Sequence, residues 1–288
     1  MPIEVVGNQR VHYQWLSKPK ADRPLKVVCL HGLLLGNLAS WYLPSLSVKD
    51  ALDQIANVLF YDLRGHGKSQ WSANGYDDLT LIHDLDQLLH TLGWDKEQLV
   101  LVGHSYGGWV ALRFAQLHPH RVAALGLVDT PFPPFKTHPL STFLDQLKEV
   151  EYSEMSLQDL KSHLPPLIRS AFQKGGRRAI KKLRAWYKLI FKSSMLDDLA
   201  QTPSLSDWTL PSSLKSMWTV YGTQSPCQSD ETLFYSQLKM GLPHLFTPQS
   251  TFCLERHTLD SGHFILDECA DSLMILWVKW LQKLVHLS

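Results

Sequence analysis

The amino-acid sequence predicts an α/β fold: a mostly parallel sheet flanked by helices, with a helical segment inserted late in the sheet. Three observations carry this. Apolar runs of strand length end on turn residues, amphipathic helical patterns lie between them, and one proline-bounded stretch interrupts the alternation. The chain has 288 residues, 44% of them apolar, enough for one large domain or for a core domain with an inserted subdomain.

In chain order, Ile3 to Leu16 alternates loosely and reads as an antiparallel edge hairpin. The strand-length runs follow: Leu25 to Leu30 before His31-Gly32, Asn57 to Asp62 before Arg64-Gly65-His66-Gly67, Leu99 to Val102 before Gly103, Val122 to Asp129, Met217 to Tyr221 before Gly222, and Thr251 to Leu259 before Gly262. Several are almost continuously apolar, as strands covered on both faces of a parallel sheet must be. Between them lie helical patterns. Asp77 to Leu92 puts Leu81, Leu85, Leu88, Leu89 and Leu92 on one face, Tyr106 to His118 is stopped by Pro119, and Phe264 to Leu287 closes the chain.

Residues 131 to 213 break the rhythm. Pro131, Pro133, Pro134 and Pro139 open the stretch, and Pro203 and Pro211 sit near its end. Its middle reads as helices over Thr142 to Glu149, Ser156 to Leu164, Leu167 to Phe172 and Arg177 to Phe191. The expected organisation is therefore a core of residues 1–130 and 214–288 with a helical cap, 131–213, inserted after the sixth strand.

Lys and Arg number 28 against 27 Asp and Glu, so nothing in the charge balance calls for nucleic acid. Cys29, Cys227, Cys253 and Cys269 are scattered without metal spacing, which fits a reducing compartment. The N-terminus lacks the pattern of a signal peptide, and no apolar run reaches the length of a membrane span. A cytoplasmic protein with no metal and no organic cofactor is the expectation.

The strongest local signal is Leu99-Val100-Leu101-Val102-Gly103-His104-Ser105-Tyr106-Gly107-Gly108. A Gly-x-Ser-x-Gly match is weak alone; an apolar strand before it and a helix after it make it specific. The chain must turn sharply, side chains two before and two after the serine would collide, and glycine at both positions removes the collision. The hydroxyl is then presented at the end of the sheet, where open α/β folds bind ligands.

With this turn, His31-Gly32, the run Asp62-Leu63-Arg64-Gly65-His66-Gly67-Lys68-Ser69 and the late Ser261-Gly262-His263-Phe264, the chain resembles the α/β-hydrolase family over nearly all its length outside the insertion. The resemblance implies an eight-stranded sheet, Ser105 as nucleophile and His263 as its base. It also implies an oxyanion hole made by the backbone N–H groups of Tyr106 and Leu33. His66 and His31 read as scaffolding, and His104 as lining the strand end.

The acid departs from the common pattern. Most family members carry an Asp about three residues past the glycine that ends the seventh strand, where this chain has Ser225. Some, haloalkane dehalogenases among them, take the acid from the end of the sixth strand, where this chain has Asp129; Asp230 is the alternative. The likeness to dehalogenases and epoxide hydrolases stops at the nucleophile, which here is Ser105.

Trp41, Trp109 and Trp186 are candidate substrate-binding residues, with Phe135, Phe172, Tyr187 and Met195 as further cap candidates, although Trp109 equally suits packing of its helix on the sheet. The basic run from Lys174 to Lys192 reads first as a solvated helix face and second as a surface for an anionic interface or acidic substrate. The resemblance thus implies hydrolysis of an ester or related acyl bond in a small, apolar substrate through an acyl-enzyme. Acyl transfer on the same residues and ligand binding without catalysis are the alternatives.

Overall fold

The computed structural model describes residues 3–16, 22–33, 36–41, 46–132, 188–189, 192–202, 210–211, 213–248 and 250–287. Among them, eight strands form one sheet: β1 (Ile3–Val6), β2 (Gln9–Trp15), β3 (Leu25–Leu30), β4 (Ala56–Tyr61), β5 (Leu99–His104), β6 (Val122–Val128), β7 (Ser216–Gly222) and β8 (Cys253–Leu259). Their order is β1-β2-β4-β3-β5-β6-β7-β8. The β1–β2 hairpin is antiparallel and meets β4 antiparallel; every pair from β4 to β8 is parallel. This is the mostly parallel eight-stranded sheet, with an edge hairpin, that the sequence predicts.

The apolar runs are continuous because both faces are covered, and alternate residues serve opposite layers. In β5, Leu99 and Leu101 join one buried cluster and Val100 and Val102 the other; in β3, Val28 and Leu30 are set against Val27 and Cys29 in the same way. The first layer contains α2 (Asp78–Thr91) and α3 (Tyr106–Leu117). Asp77 caps α2 by accepting the Thr80 N–H at 2.9 Å, which fixes its start where the sequence places it. The second layer contains α1 (Leu46–Ile55), with Leu52 buried, and the C-terminal helix.

Besides the short helix Met195–Gln201, two helices were not legible in advance, namely α1 and the helix Gln228–Gly241 after β7. The second opens on Gln228-Ser229-Asp230-Glu231 and buries only a narrow stripe that includes Phe234 and Leu238, so its apolar signal is sparse. The single closing helix expected over Phe264 to Leu287 is two, Ile265–Glu268 and Ala270–Leu287, separated at Cys269. In chain order these helices are α5, α6 and α7, and the short helix Met195–Gln201 is α4.

Most of the expected cap, Trp186, Phe135, Phe172 and Tyr187 included, lies outside the described residues; Met195 is described and fully buried. The described end of the insertion is tied to the loop after β4. Lys188 Nζ stands 4.0 Å over the Trp71 ring, Ser194 N–H donates to the Ala73 carbonyl at 2.7 Å, and Tyr76 N–H donates to Asp198 at 2.9 Å. Among the described residues, no helix is long and apolar enough to cross a membrane.

Buried Asp62, just past β4, is the scaffold behind the Asp62 to Ser69 motif. Its carboxylate accepts from Leu38 N–H at 2.7 Å and Lys68 N–H at 2.9 Å, and meets His12 Nδ1 at 2.6 Å. One side chain thereby pins the loop after β3 to the loop after β4. Arg64 makes a two-pronged contact with Asp84 of α2 at 2.8 and 2.9 Å, which fastens the same loop to the helical layer.

Candidate active site

The parallel register levels the strand ends. His104 pairs with Val128, and Val128 with Val220, so the residues that follow emerge along one edge of the sheet. Ser105 N–H donates to the Val128 carbonyl at 2.9 Å and Asp129 N–H to the Val220 carbonyl at 2.7 Å, extending the ladder one step past each strand. Ser105 and Asp129 then turn away with φ of 53° and 45°, the positive-φ non-glycine residues among those described. Such backbone is costly for a side chain and persists only where the surroundings enforce it.

At the turn that carries Ser105, a Cβ on Gly103 would run into the backbone of Gly107, and one on Gly107 would press on the carbonyls of Leu30 and His31. The glycines that the motif requires are thus packed against each other and against the end of β3. That contact brings the loop after β3 beside the serine: a Cβ on Gly32 would stand 2.9 Å from Ser105 Cβ.

His263, delivered by the loop between β8 and α6, joins the two strained residues into a row. Its Nε2 lies 2.9 Å from Ser105 Oγ and its Nδ1 2.6 Å from Asp129 Oδ2. A carboxylate only accepts, so the imidazole proton belongs on Nδ1, leaving the Nε2 lone pair to take the Ser105 proton. Asp129 has no exposed surface and His263 is 6% exposed, so their contact is shielded from water. Asp230, the alternative acid, sits instead in the first turn of α5.

The β7–α5 loop holds the Asp129 carboxylate. Gly222 N–H donates to Asp129 Oδ1 at 2.9 Å, and the Ser225 hydroxyl donates to Asp129 Oδ2. Cys227 Sγ lies 3.6 Å from His263 Nδ1, and burial pushes its thiol well up from the usual range, with Asp129 and Asp230 adding repulsion. Asp129, Cys227 and His263 offer ligand atoms within 4.8 Å of one another. The 2.6 Å between Oδ2 and Nδ1 fits a shared proton, being well short of the ~3.3 Å between two ligands at ~2.0–2.1 Å on a tetrahedral ion.

His104 has a role that sequence reasoning missed. Its Nε2 donates to the His263 carbonyl at 2.8 Å, tying the loop that carries His263 to the end of β5. Burial, with repulsion from His263, pushes His104 down from 6.5 to about 4, so it stands neutral. Burial and His31 push His66 down from 6.5 to about 3. The sign of the pH effect follows. Both groups favour the native state fully above pH 6.5, and that contribution is lost as pH falls toward 4 and 3, because the unfolded chain takes up the protons first. Unfolding free energies from urea titrations are expected to fall between pH 6.5 and 4, by up to about 1.4 kcal/mol per histidine per pH unit. A flat stability across that window would contradict the neutral assignment.

A pocket opens beside the serine, lined by Gly32, Leu33, Gly36, Ser40, His104, Ser105, His263, Phe264, Leu266 and Asp267. Leu33 lines this pocket, and Tyr106 begins α3 directly after the serine. Trp41 and Trp109 correct the expectation made for them: neither is among the residues that line the pocket. Trp41 is 1% exposed and packs on Trp277 of α7, in the layer that also holds α1. Trp109 is fully buried in the opposite layer, edge-on to Phe132, which stacks on Phe234 at 4.6 Å. Both are near Ser105 in sequence or loop, yet both face the core.

A family model described as the alpha/beta hydrolase fold matches residues 26–241. A soluble epoxide hydrolase from Corynebacterium sp. is 33% identical over 125 residues, 43% of this chain and 40% of that protein. A lipase from Mycobacterium tuberculosis, LipV, is 33% identical over 110 residues, 37% of each chain. The chain therefore spans well under half the length of these curated relatives. A thermophilic esterase from Thermogutta terrifontis superposes with a TM-score of 0.64 at 22% identity, covering 96% of this chain and 94% of that one. At that identity the likeness speaks for the fold alone.

Proposed function

The chain belongs to the alpha/beta hydrolase fold family, and from that premise we propose that it is a serine hydrolase that cleaves a carboxylic ester or related acyl bond through an acyl-enzyme. One observation carries the reading: the unbroken row from Ser105 Oγ through His263 to buried Asp129, at 2.9 and 2.6 Å. Ser105 attacks the acyl carbon while His263 Nε2 takes its proton, and Asp129 stabilises the imidazolium. The N–H groups of Leu33 and Tyr106 hold the oxygen that becomes negative. His263 returns the proton to the leaving alcohol, then takes one from the water that cleaves the acyl-enzyme and gives it to Ser105 Oγ as the carboxylic acid departs. Leu33, Phe264 and Leu266 in the pocket wall favour a small apolar group.

The epoxide hydrolase relative raises the second reading, and the nucleophile argues against it. Ring opening by a carboxylate gives an ester that water can cleave. Ring opening by the Ser105 oxygen would give an ether, which the same machinery has no means to hydrolyse.

Mixing the protein with a short-chain aryl ester and with an aryl epoxide separates the two readings. The expected result is a burst of phenol, an acyl mass on the peptide that carries Ser105, and no diol. Diol formation without an acyl adduct, or no turnover by folded protein, overturns the proposal.

A further inference from the structure

We propose that Ser225 is the positioning residue of the acid, its hydroxyl holding Asp129 Oδ2 against His263 Nδ1. This rests on the triad reading above and concerns what makes the acid on β6 usable. A carboxylate with no exposed surface, on a residue at φ 45°, has to be aimed by its neighbours. Gly222 N–H secures Oδ1 at 2.9 Å, which leaves rotation of the group and the charge on Oδ2 to be controlled from the other side. Ser225 Oγ is there, in contact with the same oxygen that meets the imidazole.

The direction of the Ser225 hydroxyl is also set. Cys227 N–H donates to Ser225 Oγ at 3.1 Å, so that oxygen is already an acceptor and its own proton is turned toward Asp129. The loop is closed by Ser225 N–H on the Gly222 carbonyl at 3.1 Å and by Gln228 N–H on the Ser225 carbonyl at 3.2 Å. A single turn, 222 to 228, thus carries donors to both oxygens of Asp129 and opens α5. Without the hydroxyl, the buried carboxylate has one donor fewer, and the Cys227 thiol beside it is only a weak substitute.

The test is the rate at which a fluorophosphonate labels the full chain, read by intact mass, for wild type, Ser225→Ala, Ser225→Thr, Asp129→Asn and the Asp129→Asn/Ser225→Ala double variant. Thermal midpoints verify folding. Ser225→Ala is expected to label about 10- to 100-fold more slowly, and Ser225→Thr, which keeps the hydroxyl, within about threefold of wild type. In the Asp129→Asn background, Ser225→Ala should add no further loss, because a residue acting through Asp129 has nothing left to act through. Wild-type rates in Ser225→Ala overturn the inference. So does an equal slowing with and without Asp129, which would mark a general loosening of the loop. These outcomes, with wild type labelling and Asp129→Asn slow, leave the triad reading intact; failure of wild type to label removes both.

Discussion

Replacing Ser105 with alanine is expected to abolish fluorophosphonate labelling and to lower turnover of an activated ester by about 10⁶-fold. The size follows from the geometry. His263 Nε2 has its 2.9 Å partner in Ser105 Oγ, so removing that oxygen ends the covalent route rather than slowing it. The residue keeps its Cβ, and the turn that forces φ to 53° is set by the glycines packed around it, so the fold should survive with a similar melting temperature. Residual turnover would come from polarisation of the substrate in the pocket alone. A Ser105→Ala protein that still takes up the phosphonate on another residue would place the nucleophile elsewhere and defeat the proposed mechanism.

Asp129→Asn carries the second large effect, about 10⁴-fold in labelling rate. The surrounding donors decide why the change is so damaging. Gly222 N–H faces Oδ1, cannot reorient and requires an oxygen there, whereas the Ser225 hydroxyl beside Oδ2 can rotate and accept instead. The new amide nitrogen must then occupy the Oδ2 position, where it donates to His263 Nδ1. That drives the imidazole proton to Nε2, so the ring presents N–H to Ser105 and can no longer accept its proton. Asp230→Asn, in the first turn of α5, should leave the rate within about threefold. Parallel labelling time courses check both, and the reverse pattern would transfer the acid to Asp230.

The sequence exposed the parts of the molecule that obey a period or a steric rule. Strands covered on both faces read as apolar runs, and the Gly103–Ser105–Gly107 turn reads as glycines where side chains would collide. His263 stands out among the histidines by its place after the last strand. What failed to show was direction. Trp41 and Trp109 were expected near the cleft by their position along the chain, yet the side chains point into opposite core layers against Trp277 and Phe132. Nothing local distinguishes a tryptophan facing a cleft from one filling a layer. Ser225 stood out in the sequence as a missing carboxylate; its partner lies 96 positions earlier, a contact made only once β6 and β7 pair. The tie from His104 to the His263 carbonyl, 159 positions apart, is hidden for the same reason. The signal available was its place beside the nucleophile, which suggests proximity without naming a partner.

The contact between Ser225 and Asp129 also bears on how a catalytic acid changes address during descent. A carboxylate at 225 would abut the one at 129, and two carboxylates in contact cannot both stay ionised; one would hold a proton. A lineage carrying both would therefore pass through a form with a shared proton and a single negative charge, still facing the same imidazole. In this chain the serine at 225 avoids that shared proton, and its hydroxyl supplies a donor where a second carboxylate would bring repulsion.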